Sequence, residues 1–267
     1  MRNKTRSGTA LVTGASGGIG LHVARELAAR GFDLALVARR EDQLQAAAAE
    51  LARTHGATCR VLSTDLARHD APVRVHDWAT EASPSVDVLV NNAGFGLQGR
   101  FVETDPGREL EMLQLNVVTL TSLTKVFARD MVARRAGRIL NVASTAAFVP
   151  GPFMAVYYAS KAYVLSLSVA LADELAGSGV TVTALCPGPT QTSFGSTAGV
   201  EGSRLFRSNV MNPAAVARAG VEGMLAGRGM VVPGLRNRLL ASTSGLVPRA
   251  VTARIARGLH ELDDGRS

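Results

Sequence analysis

Short apolar or β-branched runs alternate with helix-length stretches from one end of this chain to the other, and no other feature limits the fold as tightly. The runs are Ala10–Thr13, Leu34–Val37, Cys59–Ser63, Val86–Val90, Arg138–Val142, Val180–Leu185 and Met230–Val232. The spacing between them predicts helices over Gly18–Arg30, Glu41–Thr54, Pro72–Ala82, Gly107–Arg134, Ala155–Leu175 and Ala214–Leu225, with Gly31 and Gly177 as stops. Strands separated by helices of this length imply right-handed βαβ crossovers and therefore a parallel sheet. A run such as Leu34-Ala35-Leu36-Val37, apolar at every position, suits a strand covered on both faces. The expectation is one α/β domain over residues 1–267, a doubly wound parallel sheet with helices on both faces. Residues 187–213 fit a substrate loop or lid, and 234–267 a C-terminal extension.

The first strand runs into Thr13-Gly14-Ala15-Ser16-Gly17-Gly18-Ile19-Gly20 and then a helix. A helix N-terminus attracts phosphate through its free N–H groups and dipole, and side chains at the turn would block the approach. Gly14, Gly18 and Gly20 carry none, Ser16 can add a hydroxyl, and Ile19 opens the helix between them. A strand-to-helix turn of this kind near the start of an alternating chain points to a dinucleotide. The end of the second strand reads Val37-Ala38-Arg39-Arg40. A free ribose 2′-hydroxyl calls for a carboxylate there and a 2′-phosphate for a base, so Arg39, with Arg40 behind it, favours NADP(H) over NAD(H).

Three further segments complete the pattern. Asn91-Asn92-Ala93-Gly94 follows the fourth strand, and Ser144 follows the fifth. Tyr157-Tyr158-Ala159-Ser160-Lys161 opens the next helix, its i, i+4 spacing placing Tyr157 and Lys161 on one face and turning Tyr158 elsewhere. With the glycine turn and Pro187-Gly188 after the sixth strand, these occur in the order found in the short-chain dehydrogenase/reductase superfamily, which the chain resembles over nearly its whole length. The resemblance implies a Rossmann-like fold and hydride transfer between a nicotinamide dinucleotide and a carbonyl/secondary alcohol pair. Tyr157 would be the general acid in reduction, its phenol (ordinary pKa about 10) made more acidic by the Lys161 ammonium. Ser144 would hold the substrate oxygen. The resemblance further implies that Lys161 meets the nicotinamide ribose and that Asn116, in the long helix, joins a water-linked proton relay. It also assigns Asp65 and Leu66 to the adenine, Asn92, Ala93 and Gly94 to the adenosine ribose, and Pro187, Gly188, Thr190 and Thr192 to the nicotinamide and pyrophosphate.

The loops expected to border a substrate carry Phe95, Leu97, Phe148, Phe153, Met154, Phe194, Leu205 and Phe206 and no cluster of charge, which suits an apolar ketone. Residues Gly195–Met211 are expected to form the lid. The tail from Gly234 alternates arginines with leucines; it suits packing on the core or on a neighbouring subunit, with a membrane surface as the other reading. Family precedent points to a homodimer or homotetramer through the helices Gly107–Arg134 and Ala155–Leu175.

Composition adds exclusions. Hydrophobic residues make up 46% and charged residues 19%, which leaves no room for a disordered chain. The net charge of +7 comes from scattered arginines without an aromatic-and-basic stripe, so no nucleic-acid partner is expected. Cys59 and Cys186 lie far apart in apolar runs, and His22, His55, His69, His76 and His260 are scattered, so neither a disulfide nor a metal site is expected. No apolar run approaches the ~18 residues of a transmembrane segment and no signal peptide is read at the start, so a cytoplasmic location is expected. Two other functions stay open: an NAD-dependent alcohol or hydroxysteroid dehydrogenase, and a catalytically silent dinucleotide-binding regulator.

Overall fold

The computed structural model describes residues 7–82, 85–200, 203 and 210–260. Among these residues seven strands form a single parallel sheet in the order β3-β2-β1-β4-β5-β6-β7. They are β1 (Thr9–Thr13), β2 (Asp33–Ala38), β3 (Cys59–Ser63), β4 (Val88–Asn91), β5 (Gly137–Val142), β6 (Val180–Leu185) and β7 (Met230–Val231). Helices α1 (Gly18–Ala29), α2 (Glu41–His55), α3 (Ala71–Ala82), α4 (Pro106–Leu113), α5 (Leu120–Ala133), α6 (Ala155–Glu174), α7 (Phe194–Ala198), α8 (Pro213–Leu225), α9 (Leu235–Thr243) and α10 (Arg249–His260) connect and flank them.

Strand residues serve two cores by turns. Ala10, Val12, Leu34, Leu36, Val88 and Val90 pack with α1, α2 and α8 on one face. Leu11, Ala35, Val37, Leu89 and Ile139 pack with Phe127 and Met131 of α5 on the other. The period-two alternation of side chains therefore buries both faces, as the uniformly apolar strands require. The chain runs outward from β1 to β3, then returns to place β4 on β1's other side. That reversal opens a crevice at the carboxyl ends of β1 and β4, where ligands of such sheets bind.

Three sequence expectations need correction. The helix expected over Gly107–Arg134 is α4 and α5 joined by one wider π turn, Gln114–Thr119, with Asn116 buried inside it. Hydrophobic periodicity does not register one inserted residue in a long helix, and such turns recur at functional sites. The expected absence of a membrane-length apolar stretch also fails, because α6 is long and apolar enough to cross a bilayer. In this fold α6 instead packs beside β5 and β6 and carries Tyr157, Ser160, Lys161, Val164 and Ser168 inward. The supposed loop 187–213 contains α7, closed by Gly199 in the left-handed region at φ 75°. Leu205, Phe206 and part of the Gly195–Met211 lid lie outside the described residues.

Candidate active site

A cleft of about 410 Å³ lies over the carboxyl ends of the strands. Every residue expected at the site lines it except Gly20 and Asn116, which act from behind the wall.

Gly20 shows why. A Cβ there would stand 2.3 Å from the Gly14 carbonyl oxygen and 2.4 Å from the Asn92 side chain. Its missing side chain thus lets α1 close onto the β1 turn, whereas phosphate access alone was expected to require it. Gly14 and Gly18 adopt positive φ, 65° and 54°. Gly17, a residue the sequence reading passed over, caps α1 without any side-chain bond, and a Cβ there would meet nothing within 4 Å. The first turn of α1 also holds no acid. These are the features an anion needs at a helix start.

The Thr13 hydroxyl, likewise overlooked, donates to the Val90 carbonyl at 3.1 Å and accepts from the N–H groups of Asn92 and Ala93 at 2.9 and 3.1 Å. The Asn92 amide donates to the carbonyls of Thr13 and Gly14, 3.0 and 3.2 Å away. Asn92 thereby locks the glycine turn to β4. Beneath it, the Asn91 amide donates to Thr124 Oγ1 and Asn141 Oδ1, and Asn141 Nδ2 donates to Ser168 Oγ. This buried polar ladder ties β4, β5, α5 and α6 together directly under the site.

At the far end of the cleft, Ala38 lines the wall with Arg39 and Arg40 beside it. Arg39 is largely exposed and lies 3.7 Å from a Glu111 carboxylate oxygen, a carboxylate that also pairs with Arg108. The Asp65 carboxylate accepts from the Ala67 N–H at 3.0 Å while its residue lines the cleft.

At the near end, Ser144 lies two residues past β5 and its Oγ accepts from the Ala146 N–H at 3.1 Å, starting the short 3-10 turn Thr145–Phe148. Tyr157 and Lys161 project from the first turns of α6, both buried. Burial pushes the Tyr157 phenol up to about 12, against which a hydrogen bond with Ser144 acts to lower it. Burial brings the Lys161 ammonium down to about 8, opposed by the Cys186 thiol nearby. Lys161 Nζ donates to the Val142 carbonyl at 2.9 Å and lies 5.8 Å from the centre of the Tyr157 ring. Without a ligand, then, Ser144 is the partner that favours the phenolate, where the spacing alone pointed to Lys161. Tyr158 stacks against Gly151, where a Cβ would fall 2.4 Å from its ring, and forms part of the wall.

Asn116 holds the floor. Its Nδ2 donates to the Phe95 carbonyl at 2.9 Å and to Ser160 Oγ at 3.2 Å, while Oδ1 accepts the Phe95 N–H at 3.2 Å. A Cβ on Gly94 would meet Asn116 Oδ1 at 2.8 Å and Lys161 Nζ at 3.6 Å, so the residues expected to form the relay do come together. Above them, the Phe194 ring of α7 leans on Tyr157 with centroids 5.3 Å apart. Phe95, Met154 and Tyr157 form one apolar cluster against which Phe194 packs.

Comparison with known proteins identifies the family. The short chain dehydrogenase family pattern matches residues 8–201, and the chain belongs to that family. It is an oxidoreductase of alcohol and carbonyl groups with a nucleotide site. Among curated relatives, nodulation protein G of Rhizobium sp. (strain N33) is 36% identical over 67% of this chain and 71% of that protein. The 17-beta-hydroxysteroid dehydrogenase type 3 of Mus musculus is 33% identical over 67% of this chain and 58% of its own length. Among solved structures, a short-chain dehydrogenase from Sphingobium yanoikuyae in complex with NADPH superposes with a TM-score of 0.80 at 33% identity, over 91% of this chain and 97% of that one. The bulky-bulky ketone specific alcohol dehydrogenase of Comamonas testosteroni superposes with a TM-score of 0.77 at 30% identity, over 92% and 97%.

Proposed function

We propose that this chain is an NADP(H)-dependent reductase of apolar ketones, with Tyr157, Ser144, Lys161 and Asn116 as its reacting and supporting side chains. The observation that carries this reading is the convergence of Ser144, Tyr157 and Lys161 at one end of a cleft whose other end carries Arg39 and Arg40. Gly14, Gly17 and Gly18, with the uncapped start of α1, would hold the pyrophosphate; Asp65, Leu66 and Ala93 would border the adenosine, and Pro187, Gly188, Thr190 and Thr192 the nicotinamide. When bound, the reduced dinucleotide supplies the hydride that adds to the carbonyl carbon.

The protein's part is the oxygen. Ser144 Oγ donates a hydrogen bond to the carbonyl oxygen, which polarises the bond and stabilises the charge that develops. Tyr157 then gives its hydroxyl proton to the same oxygen as it becomes an alkoxide. With the Ser144 proton engaged by the substrate oxygen, the leftover phenolate is stabilised by the Lys161 ammonium, 5.8 Å from the ring centre, and Asn116 lies beside the lysine on the route by which the proton is replaced. Phe95, Met154 and Phe194 supply an apolar surround, which supports a bulky hydrophobic substrate. The ketone- and steroid-named relatives support the same class.

The Arg39 guanidinium can grip a 2′-phosphate through two hydrogen bonds that a 2′-hydroxyl cannot reciprocate. Exposed Val118, Tyr163 and Val169 on the π turn and α6 support a homodimer or homotetramer through those helices. The two free cysteines suit a reduced, cytoplasmic setting. Titration of the protein with NADPH and NADH by fluorescence, followed by a ketone panel, tests the reading: tighter NADPH binding and turnover of apolar ketones are expected. Equal affinities would remove the 2′-phosphate assignment, and no turnover of any ketone would remove the reductase.

A further inference from the structure

The C-terminal helices leave an apolar face uncovered. Leu235 (78% exposed), Leu239 (65%) and Leu246 (83%) stand out from α9 and the turn after it. On α10, Val251, Ile255 and Leu259 form an exposed stripe at i, i+4 and i+8, while Ala256, about a quarter-turn round the helix, is buried. Between residues 235 and 260 there are five arginines, at 236, 238, 249, 254 and 257, all exposed, and no acidic residue. Glu261, Asp263 and Asp264 follow in the sequence, outside the described residues.

This face borders the mouth of the cleft. The Arg257 guanidinium sits over the Phe153 ring, 5.3 Å from its centroid, and Phe153 adjoins Met154 of the cleft wall. The Phe153 carbonyl accepts the Gly99 N–H at 2.9 Å. Two residues beyond Gly99, Phe101 (67% exposed) and Val102 (88%) extend the apolar surface along the same rim. At its other end, α9 seats Asn237 against Gly188, where a Cβ would come within 2.6 Å of the amide.

We propose that the α9–α10 face, together with Phe101 and Val102, docks on an anionic lipid surface and holds the mouth of the cleft against it. Exposed aliphatic side chains ringed by arginines are what such a surface recognises: the apolar residues enter the headgroup boundary and the guanidinium groups meet lipid phosphates. Charge argues against a second copy as the occupant. A two-fold contact through this face would set five arginines against five, with no carboxylate between residues 235 and 260 to answer them, while the acids beside Phe101 and Val102 are engaged within the chain, Glu103 by Arg100 and Asp105 by the N–H groups of Gly107 and Arg108. A rim seated on lipid would also admit a hydrophobic substrate without its passage through water. The docking stands independently of the reaction assigned above.

The test is co-sedimentation of the full chain with vesicles of phosphatidylcholine alone and of phosphatidylcholine with phosphatidylglycerol. Binding to the anionic vesicles is expected, weak on the neutral ones and falling as salt is raised. Ile255→Glu with Leu259→Glu should reduce it at least tenfold while leaving the mass in solution unchanged. Arg249→Gln with Arg254→Gln, confined to exposed positions, should cost about fivefold per arginine and serves if the first pair does not fold. No binding by the intact chain at low salt would overturn the proposal. So would binding untouched by both pairs, or a glutamate variant of halved mass, which would make the face a subunit contact.

Discussion

Asn116 grips the backbone of Phe95 with both ends of its carboxamide, donating to the carbonyl at 2.9 Å and accepting the N–H at 3.2 Å. The π turn at Gln114–Thr119 presents it there, so an irregularity in a helix and the strand-end loop of β4 depend on each other. Asn116→Ala leaves both Phe95 groups unpaired in a buried setting, which costs about 1–3 kcal/mol. A melting temperature lowered by several degrees, with a loss of ketone reduction, is the expected outcome by calorimetry and steady-state assay. Unchanged stability and activity would mean that the pairing is incidental.

Gly20 admits no side chain. Gly20→Ala would force the new methyl group against the Gly14 carbonyl, which belongs to backbone and cannot swing aside. Weakened binding of both NADPH and NADH together with lower stability is expected, since the α1 start must shift. Gly17→Ala, where the added carbon meets nothing in the protein, should leave stability almost unchanged while weakening dinucleotide binding. Equal effects on stability at the two positions would contradict this division.

Arg39 decides between the two dinucleotides. Arg39→Ala should weaken NADPH about tenfold or more and leave NADH within twofold, because only the 2′-phosphate uses the guanidinium. Its ion pair with Glu111 is half-exposed and contributes little to stability, so the variant should melt close to the parent. Fluorescence titration of both dinucleotides gives the answer, and a parallel loss for NADH would contradict it.

The buried Lys161 gives a pH dependence. Its ammonium titrates near 8 in the ligand-free protein, lowered by burial, whereas the Tyr157 phenol keeps its proton up to about 12. Reduction needs both protonated, so kcat/KM for NADPH, which reports the free enzyme, should be flat below pH 8 and fall about tenfold per unit above it. For stability the sign runs the other way. The unfolded chain binds the lysine proton up to about 10.5, so this group favours the folded state increasingly as pH rises through 8. The raised Cys186 and Tyr157 groups oppose it from about 9 and 10 upward, because there the folded state holds the extra protons.

The parallel sheet and the lining of the cleft were legible because they rest on signals that sequence carries directly. Apolar runs of strand length, glycines at a strand-to-helix turn and a Tyr/Lys pair at i, i+4 each leave a pattern. Asn116 was found by position in a familiar order, but its means of reaching the site was not, since a π turn leaves the helical periodicity almost intact. Thr13 and Gly17 escaped notice because a strand-end threonine and one more glycine carry no spacing of their own. The Tyr157 environment was legible in part. Helical spacing placed the ammonium beside the phenol, while the fold draws Lys161 Nζ to the Val142 carbonyl and leaves Ser144 as the nearer influence. The tail read as amphipathic, and only the packing of Ala256 showed which side faces out.

The most direct test of the central claim is the Tyr157→Phe variant, assayed for NADPH-dependent reduction of an apolar ketone and titrated with NADPH in the same preparation. Removing one hydroxyl takes away the proton donor and spares the ring that packs against Phe194. We predict a loss of at least about a thousandfold in kcat, with NADPH affinity within about twofold of the parent. Turnover at the parental rate would show that the proton comes from elsewhere and would contradict the account.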